Sequence, residues 1–172
     1  MIIFQMKCAL RMHGVVFAKE TSMSSCKMPV TILMADDDLD DQLLVQDAFS
    51  EKCSCIQLNF VNNGNELLEY LKEVVILPGL ILLDINMPTM GGLEALKRIK
   101  SDPRLVNIPI IIFTTSGNKD VILESYCKGA NSFIIKPESF GALVDIIDTV
   151  SKYWCNIVAL PDSLCPIEKK AS

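Results

Sequence analysis

The chain has 172 residues, a formal net charge of −5, and a composition that is 50% hydrophobic and 22% charged. That length suits one domain with short extensions, and the apolar share is enough to close a core, which excludes global disorder. An acidic chain without a basic stripe is a poor non-specific ligand for nucleic acid, so no DNA binding is expected of it. The 7 cysteines contain no C-x-x-C pair, Cys53 and Cys55 are the only close ones, and the single His13 lies far from them. Reduced thiols in a cytoplasmic protein are therefore expected, rather than a disulfide framework or a zinc site.

No apolar run reaches the roughly 18 residues that span a bilayer. Residues 1–28 begin apolar, but Lys7 and Arg11 interrupt the stretch, which does not suit a signal peptide. Met23 and Met28 sit just ahead of the first regular pattern, so one of them is the expected true start, and residues 1–28 are expected to be an extension outside the fold.

From Val30 the pattern is regular. Val30 to Ala35 is an apolar run that stops at Asp36, and Leu44, Val45, Ala48 and Phe49 then mark one face of a helix. Ile56, Leu58 and Phe60 alternate with Gln57 and Asn59, the period of a strand. Asn63-Gly64 predicts a turn, and Leu67, Leu68 and Leu71 a second helix. Leu80 to Leu83 reads as a buried strand ending at Asp84. Leu93, Leu96 and Ile99 follow as a third helix that stops near Asp102-Pro103.

Ile108 to Phe113 predicts a strand ending at Thr114, and a fourth helix runs from about Lys119 to Lys128 with Gly129 as its C-terminal cap. Ser132 to Ile135 is the fifth strand, ending at Lys136-Pro137, and Phe140, Leu143, Val144, Ile147 and Val150 line the fifth helix. Strands 1, 3, 4 and 5 are apolar without alternation, as in a parallel sheet covered on both faces. The expected fold is α/β, with the domain over residues 29–154 and a tail over 155–172.

Parallel strands bring their carboxyl ends to one edge, where ligands of such sheets bind. Asp36, Asp37, Asp84, Thr114 and Lys136 all fall there. Three carboxylates so close repel one another and call for a cation. An all-oxygen set suits Mg²⁺, which keeps some waters and leaves room for a phosphoryl oxygen. A carboxylate nucleophile, a hard cation, a lysine and a hydroxyl together make a phosphoryl-transfer site. Asp38, Asp40 and Asp41 are expected to be no more than a solvated acidic helix start.

Four segments carry a family resemblance: T-I-L-M-A-D-D-D at 31–38, L-I-L-L-D-I-N-M-P at 80–88, I-P-I-I-I-F-T-T-S at 108–116 and F-I-I-K-P at 133–137. Together they resemble the receiver domain of two-component response regulators, over residues 30–152. The resemblance implies a doubly wound, flavodoxin-like (βα)5 fold with a five-stranded parallel sheet in the order 2-1-3-4-5. It implies that Asp84 accepts a phosphoryl group from a histidine kinase, and that Asp36, Asp37, Asp84 and the backbone carbonyl of Asn86 hold Mg²⁺. Lys136 would pair with the phosphoryl oxygens, Thr114 would be the switch hydroxyl with Thr115 its neighbour, Phe133 the switch aromatic, and the Lys136-Pro137 bond cis.

The acidic start of helix 1, the T-T-S ending, N-S-F-I-I-K-P, and Tyr153-Trp154 followed by A-L-P are further similar to the stand-alone regulators paired with phytochrome kinases. Residues 155–172 are too few for an output domain, so a protein contact is the expected output. That contact is expected to include a homodimer through helix 4, strand 5 and helix 5. Two other classes stay open. A haloacid-dehalogenase-like phosphatase would need a second aspartate where Asn86 stands. A degenerate receiver serving as a docking module would not need the full polar set.

Overall fold

The computed structural model describes residues 30–52 and 56–160. Five apolar segments form strands: β1 (Val30–Ala35), β2 (Ile56–Val61), β3 (Leu80–Leu83), β4 (Ile110–Thr114) and β5 (Ser132–Ile135). The helices between them are α1 (Leu39–Lys52), α2 (Gly64–Glu73), α3 (Gly92–Ser101), α4 (Lys119–Cys127) and α5 (Phe140–Ser151). The strands pair in parallel in the order β2-β1-β3-β4-β5, so the expected doubly wound (βα)5 sheet is the observed one.

The non-alternating strands are explained by two cores. Leu33, Ala35, Ile81, Leu83, Ile110 and Ile112 pack with Leu67, Leu71, Leu96 and Ile99 of α2 and α3. Their chain neighbours Ile32, Met34, Leu80, Leu82, Ile111 and Phe113 pack on the opposite face with Val45, Phe49, Leu143 and Ile147 of α1 and α5. With period 2, each strand must be apolar at every position to supply both faces. Each such side chain, fully buried, contributes about 1.5–3 kcal/mol. α4 is different. Its only buried residue is Ser125, so little apolar packing holds it in place.

Several details differ from expectation. Leu44 is 43% exposed, and Gln42 takes a buried place on α1 instead. β4 begins two residues later than expected, because Pro109 has no N–H for the ladder. Its carbonyl still accepts from the Ile81 N–H at 3.0 Å. α4 ends as expected, with Gly129 at φ 96°, a left-handed conformation that a Cβ would strain.

α5 runs directly into a π-helical turn over Lys152–Ile157, so regular structure crosses the boundary expected at residue 154. Trp154 packs partly against its own core. The expectations for residues 1–28 and 161–172 lie outside the described residues. No helix among the described residues is long and apolar enough to cross a membrane.

Candidate phosphoryl-acceptor site

The site forms at the carboxyl ends of β1 and β3, where the chain order reverses across the sheet. Backbone bonds fix both ends. Asp36 N–H donates to the Val61 carbonyl at 3.0 Å, and Asp84 N–H to the Ala35 carbonyl at 2.9 Å. Gln42 Nε2 donates to the Asp36 carbonyl at 2.6 Å and to Asn62 Oδ1 at 3.1 Å, tying α1 to the strand edge. The sequence held a signal for Gln42, a polar residue three positions before Val45 on the core-facing side of the helix. Asp38 Oδ1 accepts from the Asp40 N–H at 2.9 Å, so Asp38 caps α1.

The loop after Asp84 is shaped by close approach. Gly92 N–H donates to the Ile85 carbonyl at 3.0 Å, and a Cβ at Gly92 would collide with the Asp84 carbonyl. Thr89, at φ 63°, is the only non-glycine residue with positive φ among the described residues. It is flanked by the buried anchors Met87 and Met90, which hold a conformation costing about 1–3 kcal/mol. Gly92→Ala should therefore lose about 1–3 kcal/mol of stability, since backbone rather than a flexible side chain must give way. Urea denaturation checks this, and a loss below a few tenths would show that the loop adapts freely.

Three carboxylates converge: Asp36, Asp37 and Asp84 each offer an oxygen, all within 4.8 Å of one another. Asp36 is 1% exposed and Asp84 7%, while Asp37 is open to solvent. Lys136 Nζ donates to Asp36 Oδ2 and to Asp41 Oδ2, both at 2.6 Å. Burial pulls the Lys136 pKa down, but the Asp36 and Asp41 carboxylates outweigh it and raise it, so the group is a cation. Burial also pushes the Asp36 carboxyl up, against the pull of Lys136.

Asp84 Oδ1 is buried and has no hydrogen-bond partner. An unpaired buried acceptor costs about 1–3 kcal/mol. Such an oxygen, beside two further carboxylates, fits a hard divalent cation or a covalently added group. The residues present thus fit the expected cation.

The remaining expected residues fall as follows. Thr114 is fully buried at the end of β4, and its Oγ1 accepts only a long 3.5 Å bond from the Ser116 N–H. Its carbonyl accepts from Lys136 N–H at 2.8 Å, which binds the ends of β4 and β5 together. Thr115 and Asn86 are exposed beside these strand ends. Phe133 pairs in register with Ile112 and packs half-buried on the α2–α3 side.

Two expectations need correction. The Lys136-Pro137 bond is trans, since no cis peptide bond occurs among the described residues. Trans is the intrinsically favoured form by about 0.5–1 kcal/mol. Asp41, expected to be merely solvated, holds Lys136 from the first turn of α1.

The family model of the response regulator receiver domain matches residues 32–148. The chain belongs to this family. It is 31% identical over 138 residues to the response regulator Rcp1 of Synechocystis sp., covering 77% of this chain and 94% of Rcp1. Among solved structures it resembles the phosphorylated cyanobacterial phytochrome response regulator RcpA, with a TM-score of 0.74, 33% identity, and coverage of 77% of this chain and 99% of that one. It also resembles the Mn²⁺-bound form of Rcp1, with a TM-score of 0.72, 30% identity, and 77% and 99% coverage. This is a receiver domain homologous to stand-alone response regulators of two-component signalling.

Proposed function

We propose that this receiver takes a phosphoryl group on Asp84 from the phosphohistidine of a histidine kinase, in the cytoplasm, and signals through protein contacts without DNA binding. The observation that carries the reading is the buried, unpartnered Asp84 Oδ1 among three carboxylates. In the transfer, a carboxylate oxygen of Asp84 bonds to phosphorus. The P–N bond breaks, its electron pair returns to the imidazole, and an acyl phosphate results.

Mg²⁺, held by Asp36, Asp37, Asp84 and the Asn86 backbone carbonyl, would offset the charge of the carboxylates and the phosphoryl oxygens. The Lys136 ammonium pairs with one phosphoryl oxygen and the Thr114 hydroxyl, which accepts only a long bond from Ser116 N–H and has its own proton free to give, donates to another. That draws in the loop after β4 and favours an inward Phe133 next to the lightly packed α4. Asn86, in the position where a phosphatase of the dehalogenase type needs an acidic residue, favours an acceptor that catalyses only its own phosphorylation and dephosphorylation. The likeness to RcpA and Rcp1 supports a phytochrome-type kinase as the donor. With Mg²⁺ and acetyl phosphate, intact-mass spectra should show one added, acid-labile phosphoryl group per chain. No addition would sink the proposal.

The output face is α4, β5 and α5. Leu123, Tyr126 and Ile135 along it are exposed, as are Tyr153 and Ile157 on the π-helical turn that continues α5, and apolar side chains gathered on one face suit a protein contact. A two-fold dimer would cover it. With Trp154 partly packed on its own core, Tyr153 and Ile157 are the residues left to carry the contact. Sedimentation at tens of micromolar, with beryllofluoride as the phosphoryl mimic, should show a dimer that Ile157→Asp weakens about tenfold or more. Ile157 is 73% exposed, so folding should be spared. A monomer throughout would leave a shuttle between kinase and target.

A further inference from the structure

An aspartate in the first turn of a helix is ordinarily explained by the helix dipole. Asp41 does more than that account requires. Its Oδ2 lies as close to Lys136 Nζ as the Asp36 oxygen does, 2.6 Å in each case. The Lys136 side chain is 8% exposed and that of Asp41 31%, so the contact is sheltered rather than a loose surface pair. The Phe113 ring stands 5.9 Å from the ammonium.

An ammonium has three donors. Two are taken by carboxylates other than the acceptor, while Asp84 Oδ1 has no partner. The lysine is thus pinned between β5 and α1, with its strongest bonds directed away from the residue it would serve. Charge-assisted bonds of this kind are the strong ones, and the ammonium cannot satisfy all its claimants at once.

We propose, building on the phosphoacceptor reading above, that Asp41 is a positioning residue that holds Lys136 in reserve. It keeps the ammonium when Asp36 turns to the divalent cation, and it then competes with the phosphoryl oxygens for that ammonium. Two consequences of opposite sign follow. Without the Asp41 carboxylate, Lys136 has only Asp36 and Asp84 to bond, so a cation must displace it from the cation's own ligands and binds more weakly. Once the cation site is full, nothing else retains the ammonium, and it meets the incoming phosphoryl group sooner. With acetyl phosphate as donor, an Asp84 oxygen bonds to phosphorus and the P–O bond to the acetyl group breaks. Acetate leaves with the electron pair, and Lys136 pairs with the charge on the phosphoryl oxygens. A merely structural Asp41 would not give opposite signs, because loosening the site weakens cation binding and slows transfer together.

The test compares the full chain with Asp41→Asn, which removes the charge at constant shape, and Asp41→Glu, which keeps it. Mg²⁺ affinity is measured by calorimetric titration, and the labelling rate at saturating Mg²⁺ by intact mass with acetyl phosphate. Asp41→Asn should bind Mg²⁺ roughly threefold or more weakly and label roughly threefold or more faster, with Asp41→Glu returning both towards the parent values. Unchanged or tighter Mg²⁺ binding, or unchanged or slower labelling at saturation, overturns the proposal. If no variant labels at all, the phosphoacceptor reading fails and the competition for a phosphoryl group is overturned with it. Weakened affinity in Asp41→Asn restored by Asp41→Glu then shows only that Asp41 keeps Lys136 off the cation's ligands. Labelling of the parent with the wrong sign in Asp41→Asn overturns the reserve role alone.

Discussion

Asp84→Asn should abolish phosphoryl uptake from acetyl phosphate, and Asp37→Ala should slow it by about a hundredfold at limiting Mg²⁺. The two variants fail for different reasons. The amide that replaces the Asp84 carboxylate lacks the anionic oxygen that bonds to phosphorus, so no amount of cation restores the reaction. Asp37 is exposed and contributes charge rather than the reacting atom, so its loss weakens cation binding, and excess Mg²⁺ should recover part of the rate. Intact-mass spectra over a Mg²⁺ series separate these outcomes. Equal labelling of the parent and Asp84→Asn would place the acceptor on another carboxylate. Failure of high Mg²⁺ to help Asp37→Ala would remove that residue from the cation site.

The second large effect is on stability. Asp36, Asp37 and Asp84 crowd their oxygens within 4.8 Å, with Lys136 bonded to only one of the three. Mg²⁺ should therefore bind the folded chain and not the unfolded one. At 100 times its Kd the gain is about 2.7 kcal/mol. For a chain of this size that corresponds to a rise in Tm of roughly 5–10 °C. Asp84→Asn should act in the opposite sense on the metal-free protein, adding about 1–2 kcal/mol by removing one repelling charge and an unpaired buried anionic oxygen. The same variant should gain little from Mg²⁺. Thermal melts of both proteins, with Mg²⁺ and with chelator, give the four numbers needed. A Tm indifferent to Mg²⁺ together with a less stable Asp84→Asn would show that the carboxylates are held by the fold without mutual cost.

The sequence by itself located β1, β3, β4 and β5, because a strand covered on both faces must be apolar without alternation, and such runs are visible without any partner; the strand order was implied only by the family resemblance. It also located the strand-end residues Asp36, Asp84, Thr114 and Lys136, since in a parallel sheet the residue that ends each apolar run is delivered to one edge. Local periodicity was less informative where a helix does not present one clean stripe. On α1, Leu44 is exposed and Gln42 buried, because a polar side chain there can bond the Asp36 carbonyl; spacing puts Gln42 on the Val45 side of the helix but does not reveal that bond.

The tertiary structure alone decided which charged groups meet. Asp40 and Asp41 are neighbours in sequence and alike in chemistry, yet only Asp41 reaches Lys136, 95 residues away in the chain. It alone showed that Gly92 is pressed against the Asp84 carbonyl and that Trp154 packs partly on its own core. The physical reason is common to these cases. Secondary structure follows from the order of residues along one segment. An ion pair, a steric contact or a covered aromatic depends on the distance between segments that only the folded sheet and its helices bring together.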